Sequence, residues 1–299
     1  MTAAGSDQAT GVGGTLYVVA TPIGNLGDMT LRALEVLRAV PLIAAEDTRH
    51  TKRLLVRHGV PTRMTSYHAR SGPGRTVALL DHLRSGADLA LVSDAGTPGV
   101  SDPGAELVAA WAAESGVVVP VPGASAVLAA VVGSGLAGPR WSFEGFLPRS
   151  GRERRERLAR IAADDRGTVV YEAPGRVAVT LADLAGACGT DRPAAVCREL
   201  TKLHETILRG TLGQLAEQAA TGAIPARGEF ALVVGAHIGG AVPRSAAAEA
   251  DALVGGRAEV DRLVAAGASR SEAARRVAAE TGLPRRRLYA RSTDATVSR

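Results

Sequence analysis

Three loops rich in glycine and proline each follow a short aliphatic run, and each has the residue types of a small-molecule binding turn. The first is ATPIGNLGDMT (20–30), where Pro22 fixes the entry and Gly24 and Gly27 permit a tight turn. Its exposed N–H groups suit an anionic or carboxylate-bearing ligand. The loop has neither the Gly-Lys-Ser/Thr ending of a Walker loop nor the full G-x-G-x-x-G dinucleotide fingerprint, and a purely structural turn accounts for it equally well. The second loop is VSDAGTPGVSDPG (92–104), whose mixture of glycine, proline and acidic residues is hard to assign to core packing. Asp94 suits a ribose hydroxyl or an amine as hydrogen-bond acceptor, and Gly96, Thr97 and Gly99 let the backbone approach a ligand. Open α/β sheets bind ligands at such strand ends. The third, VPGASA (121–126), puts Ser125 where it caps a helix, touches a ligand, or does both.

These loops need strands and helices to hold them. TLYVVA (15–20), LIAA (42–45), DLALVS (88–93) and VVVPV (117–121) are short and apolar on both faces, with intervals long enough for crossover helices. Thr30 is a candidate N-cap for LRALEVLRAV, and Gly59 a candidate stop after TKRLLVRH. Beyond a Pro/Gly/aromatic stretch near 138–150, GTVVYEA (167–173), AAVCREL (194–200) and EFALVVG (229–235) read as further strands, with helices at 152–163, 175–186 and 211–220. The fold class is therefore α/β, with a tail at 1–13, an N-terminal domain at 14–122 and a C-terminal domain at 123–238. The small-residue stretch 239–256 reads as a linker. Residues 257–299 read as an all-helical, helix-turn-helix-like hairpin, with helices at 257–266 and 270–281, a stop at Gly282 and a short helix opened by Pro284. A hairpin that merely covers the body fits the same pattern.

Composition narrows the function classes. The formal net charge of +5 is unevenly spread: residues 149–160 hold six arginines against two glutamates, and residues 251–299 hold ten arginines against six acids. Concentrated positive charge is what phosphate-backbone contact requires, so Arg152, Arg154, Arg155, Arg157, Arg285, Arg286 and Arg287 are candidate nucleic-acid contacts; a solvated helix face and a solubilising tail are their alternative role. Aromatic residues make up only 3% of the chain, which leaves few stacking platforms for single-stranded bases. Two cysteines, Cys188 and Cys197, are too few for a disulfide framework, and a cytoplasmic setting is expected. His50, His58, His68, His82, His204 and His237 lack a metal-ligand spacing, so no metal is expected. The N-terminus has no basic start or apolar stretch of a secretory signal. Residues 116–138 are uncharged, but Pro120, Pro122 and Gly123 interrupt them, which favours a buried strand, turn and helix over a membrane span.

Read together, TPIGNLGD, AAEDTRHTKRLL, SDAGTPGVSDPG, VPGASA, FEGFLPR, VYEAPGR and CRELTKLHET, in this order, resemble the tetrapyrrole methylase superfamily. Within it they are most similar to the bacterial ribose methyltransferases of small-subunit ribosomal RNA. The resemblance runs from about residue 14 to 236, and the terminal hairpin resembles that family's helix-turn-helix tail. It implies a two-domain fold with S-adenosylmethionine between the domains. Asp94, Gly96 and Thr97 would serve the cofactor, and Ser125 and Ala126, with Tyr171 and Glu172 of VYEAP, would complete its pocket. The implied activity is 2′-O-methylation of a cytidine in the decoding region of 16S ribosomal RNA, on the 30S subunit and by a homodimer.

That chemistry asks little of the protein beyond alignment, because a sulfonium is already an activated electrophile. A ribose hydroxyl is a weak acid, so a carboxylate or lysine beside it would take its proton or lower its pKa. Glu46, Asp47 and Arg49 of AEDTRH, and Lys202 and Glu205 of ELTKLHET, are the candidates; an interdomain salt-bridge network is their alternative role. Two other functions compete: a C-methyltransferase of tetrapyrroles on the same fold, and a non-catalytic nucleic-acid-binding regulator.

Overall fold

The computed structural model describes residues 13–236, 246–281 and 283–289. They divide into two compact units, one ending at Gly235 and one beginning at Ala236.

The first unit opens with β1 (Leu16–Val19), α1 (Leu31–Ala39), β2 (Leu42–Ala45), α2 (Thr48–Arg57), β3 (Met64–Ser66) and α3 (Pro73–Arg84). It continues through β4 (Leu89–Val92), α4 (Ala105–Ala113), β5 (Val118–Val121) and α5 (Ala126–Ser134). The five strands make one parallel sheet in the order β3-β2-β4-β1-β5. Every residue of β4 is buried, as the continuous apolar run LALV requires of a central parallel strand. Local signals set several boundaries. The Thr30 hydroxyl accepts from the Ala33 N–H at the start of α1, and Gly59 turns left-handed (φ +61°) after α2. Residues 116–138 form the expected strand, turn and helix.

A second sheet follows, built from β6 (Trp141–Phe146), β7 (Gly167–Glu172), β8 (Pro193–Arg198), β9 (Thr206–Thr211) and β10 (Phe230–Val234). Its order is β6-β7-β10-β8-β9, with only the β6–β7 pair parallel. Helices α6 (Gly151–Ala163), α7 (Val177–Cys188) and α8 (Leu212–Ala220) pack with one face of it through Leu158, Leu181, Leu184 and Leu215. Strands β3, β6 and β9 were not anticipated from the sequence.

The two expected α/β domains are thus two sheets of one compact unit. Helix α5 explains the merger: it follows the first sheet, yet Val127 and Ala130 pack with Ala195, Ala231 and Val233 of the second. Ile23, from the loop after β1, joins the same cluster.

The second unit contains α9 (Ala246–Ala265), α10 (Arg270–Thr281) and α11 (Arg285–Tyr289). Helix α9 takes up residues 246–256 of the expected linker. Alanine is the best helix former, and Leu253, Gly256 and Val260 line one face of α9, with a Cβ on Gly256 falling 2.7 Å from Leu288. Residues 1–12, 237–245, 282 and 290–299 lie outside the described residues, and with them most of the expected tail, the start of the linker, Gly282, His237 and the end of the hairpin. No described helix is long and apolar enough to cross a membrane.

Candidate active site

The first two loops are sewn together at their tips. The Thr21 N–H donates to the Gly96 carbonyl at 2.8 Å, the Gly96 N–H donates back to the Thr21 carbonyl at 2.9 Å, and the Thr21 hydroxyl reaches the Ser93 carbonyl at 3.2 Å. Gly96 sits at φ +76°, a conformation side chains rarely adopt. The Thr97 hydroxyl donates to the Ala124 carbonyl at 3.4 Å, which draws in the third loop. Together these loops wall one side of a cavity of about 370 Å³, within the usual range for small-molecule sites. Of the residues expected to serve a cofactor, Gly96, Thr97, Ser125 and Ala126 line it; Pro22, Gly24 and Asp94 do not. The first loop contributes Ile23 instead.

The second sheet supplies the opposite wall through Phe146, Tyr171, Glu172 and Phe230. Pairing of β6 with β7 shifts register between Phe143 and Phe146, and the two rings stack edge-on to Tyr171 at 4.8 and 5.7 Å between centroids. Burial pushes the Tyr171 hydroxyl up to about 12, so it stays protonated near neutrality. Glu172 lines the cavity, but its carboxylate is occupied elsewhere. It accepts from the Ala173 N–H at 2.8 Å and the Thr180 hydroxyl at 2.6 Å, and lies 3.3 Å from the Arg176 guanidinium. Its role is to fix the end of β7.

The expected catalytic side chains stand outside the cavity lining. Asp47 caps α2, accepting from the Arg49 N–H at 2.8 Å, and pairs with the exposed Arg49 guanidinium at 3.0 Å. That hydrogen bonding holds the Asp47 carboxyl down at about 2. Glu205 accepts from the Thr201 N–H and closes the turn between β8 and β9. Lys202 bonds Glu199 and Glu229 at 2.9 Å each. Burial opposes its charge, but these two hydrogen bonds outweigh burial and hold its pKa above the usual lysine value, so it is a poor proton acceptor. Its stem lies across Gly24, where a Cβ would fall 2.4 Å from Lys202 Cγ. Gly24 is therefore needed for this close approach between the two sheets, and Lys202 fills the salt-bridge role.

Glu46 differs from the others. Its carboxylate accepts from the Asp94 N–H at 3.3 Å, while the Asp94 carboxylate accepts from the Asp47 N–H at 2.9 Å. Asp94 thus pins two loops rather than facing the cavity. Burial, and the Asp94 charge behind it, raise the Glu46 pKa. Beside them, Asp102 does line the cavity, and burial followed by the Glu46 charge raises its carboxyl to about 6. Asp102 was missed although it belongs to the second of the candidate ligand-binding loops, because no spacing rule distinguishes it from Asp94.

Comparison with known proteins gives this cavity a family. The model of the tetrapyrrole (corrin/porphyrin) methylases matches residues 15–216. The chain belongs to the tetrapyrrole methylase family. Among curated relatives, this tetrapyrrole methylase is 50% identical over 92% of its length, and 96% of the relative's, to a Synechocystis protein named ribosomal RNA small subunit methyltransferase I. A Bacillus subtilis protein of the same name is 40% identical, over 92% of this chain and 93% of that protein. Of solved structures, a cobalt precorrin-4 methyltransferase superposes with a TM-score of 0.56 at 18% identity, covering 74% of this chain and 94% of its own. A Thermus thermophilus uroporphyrin-III C-methyltransferase complexed with S-adenosylhomocysteine gives 0.52 at 21%, covering 75% and 97%. At those identities the structures establish the shared fold.

The basic helix α6 of this tetrapyrrole methylase does not present its arginines alike. Arg154 is only 6% exposed and donates to Asp183 at 2.8 Å, the Pro148 carbonyl at 2.9 Å and the Thr180 hydroxyl at 2.9 Å. Arg157 donates to the Glu144 carbonyl at 2.7 Å and is half-buried. Arg154 therefore belongs to the buried face of α6 with Leu158 and Ile161 and is not placed to meet RNA, whereas Arg157 is partly exposed and partly held by β6. Arg152 and Arg155 remain exposed, as do Arg285, Arg286 and Arg287. A second, more open depression of about 490 Å³ lies beyond β3, lined by His68, Ser71 and Arg75 among others. Among the described residues, no group of three His, Cys, Asp or Glu side chains is arranged to hold a metal ion.

Proposed function

We propose that this chain is an S-adenosylmethionine-dependent methyltransferase of small-subunit ribosomal RNA, acting on a cytidine 2′-hydroxyl in the decoding region of 16S RNA on the 30S subunit. The observation that carries the reading is near-full-length identity of 40–50% to relatives named for that RNA, in a chain with a formed cavity at its strand ends. The cavity suits the donor. Ile23, Leu200 and Phe146 offer apolar faces for a base, Thr97 and Ser125 offer hydroxyls, and the Gly96 backbone leaves room that a side chain would fill. When bound, the donor supplies an electrophilic methyl group. The chain's own task is to exclude water, hold the acceptor oxygen in line and receive its proton.

The exposed Arg152, Arg155, Arg285, Arg286 and Arg287 hold RNA through its phosphates in this reading. The protein works as a homodimer, and the exposed Leu128 and Val132, a helical turn apart on α5, are apolar surface suited to a second copy. Changing Arg285, Arg286 and Arg287 together to glutamine is expected to weaken RNA binding about tenfold at moderate salt and to flatten its salt dependence. Calorimetry with the donor should register no change. Filter binding at two salt concentrations checks this, and an unaltered salt slope would clear α11 of RNA contact.

The reading as a whole is tested by supplying labelled donor with 30S particles, naked 16S RNA or uroporphyrinogen. Label is expected in a ribose of the particle, mapped as a block to alkaline cleavage at one cytidine. Label entering only the tetrapyrrole would overturn the reading.

A further inference from the structure

Four other ionisable side chains line the cavity besides Asp102, and each is already committed. Glu172 is locked to Thr180, Ala173 and Arg176. Glu229 is 74% exposed and paired with Lys202. Cys197 is fully buried in the second sheet, and burial pushes its thiol up to about 11. Tyr171 keeps its proton, as argued above. Of the three carboxylates, Asp102 alone meets no arginine or lysine among the described ion pairs, and it is half-buried.

Its backbone is also held in an unusual way. Ser101, the residue before it, is one of four non-glycine residues at positive φ (+66°) among the described residues. A Cβ on Gly145, in the irregular stretch of β6, would stand 3.1 Å from the Ser101 hydroxyl oxygen. The loop after β4 is therefore held against the second sheet where Asp102 enters the cavity, and left-handed non-glycine residues of this kind cost stability unless their surroundings enforce them. The groups around Asp102 are Glu46 from the loop after β2, Ser93 and Asp94 from its own loop and Tyr171 from β7; His68 bears on it only through Glu46.

We infer that Asp102 is the proton acceptor for the attacking hydroxyl, and that Glu46 tunes it from behind. The inference rests on the ribose-methylation reading above. In the step, the ribose 2′ oxygen forms its bond to the methyl carbon as the carbon–sulfur bond breaks, leaving its electron pair on sulfur. The hydroxyl proton passes to an Asp102 carboxylate oxygen. The sulfonium charge and the carboxylate charge are lost together, so no net charge is created in the cavity. A base with a pKa of about 6 is mostly ionised at neutral pH yet more basic than an ordinary aspartate, which is what proton acceptance there calls for.

The test uses Asp102→Asn and Glu46→Gln in the full chain. Its first readout needs no donor. A carboxyl whose pKa is raised on folding contributes stability that is present below the ordinary aspartate value and is lost as pH rises through about 6. Asp102→Asn should therefore melt about 2 °C higher than wild type at pH 8 and match it at pH 4. A carboxylate kept for a structural bond would give the opposite sign at pH 8, and that result overturns the inference. Second, donor affinity by calorimetry should stay within about threefold, while single-turnover transfer to 30S particles falls on the order of a hundredfold. Third, the wild-type acid limb near pH 6 should vanish in Asp102→Asn and move to lower pH in Glu46→Gln, since removing the Glu46 charge lowers the Asp102 pKa. Transfer at the wild-type rate, or a loss matched by lost donor affinity, sinks the inference alone. A wild type that labels no ribose oxygen sinks the functional reading with it.

Discussion

Gly96→Val is expected to lower affinity for S-adenosylmethionine at least about a hundredfold. Two effects add. The position sits at φ +76°, where a β-branched residue is a steric outlier costing about 1–3 kcal/mol. A Cβ there emerges 3.4 Å from Ile23 and 3.8 Å from the Ala124 carbonyl, so the rest of the side chain must enter the cavity. Gly99→Val separates the two effects. Gly99 has a similar φ of +83° in the same loop, but it is exposed and does not line the cavity. Calorimetry on both variants should find a large loss at position 96 and a small one at position 99. Equal losses would mean that loop strain, not occupancy of the cavity, governs binding, and no loss at position 96 would remove that loop from the donor site.

Arg154→Met is expected to destabilise the protein by about 3 kcal/mol or more, because breaking a buried ion pair leaves its partners uncompensated. The guanidinium holds Asp183, the Pro148 carbonyl and Thr180, and Thr180 in turn donates to the Glu172 carboxylate, which has no exposed area. Removing it strips a donor from a chain of buried polar groups that ends at the cavity wall. Asp183 is 39% exposed and recovers water, which keeps the cost from rising further. Arg155→Met, one residue away on the exposed face, should stay within about 0.5 kcal/mol. Urea unfolding with an unchanged slope checks the pair, and similar midpoints for the two variants would contradict the structural role of Arg154.

The contrast between those two arginines also explains how much was legible beforehand. Counting charge over residues 149–160 treats every arginine alike, whereas helical phase does not: Arg154, Leu158 and Ile161 are spaced four and then three residues apart, the period of a buried face. That period is visible in the sequence itself. The overlooked strands carried less. β3 has only three residues, all half-buried; β6 is interrupted by an irregular register; and β9 is an edge strand with no buried residue. None has the apolar run that marked β4. The helix over residues 246–256 of the expected linker was overlooked for a related reason. Small residues without strand pattern suit a helix equally well once Leu283 and Leu288 arrive to cover Gly256.

Sequence alone determined the glycine turns at Gly59 and Gly96, the Thr30 cap and the central strands, because each follows from steric or hydrogen-bonding needs within a few residues. It also carried the family, through seven motifs in fixed order. Tertiary structure decided which acids do what. Glu46, Asp47, Asp94 and Asp102 look interchangeable along the chain, yet one caps a helix, one joins two loops and one faces the cavity with a raised pKa beside the fourth. Desolvation and Coulomb interaction act through space, so a carboxyl's chemistry depends on neighbours that only folding brings within reach.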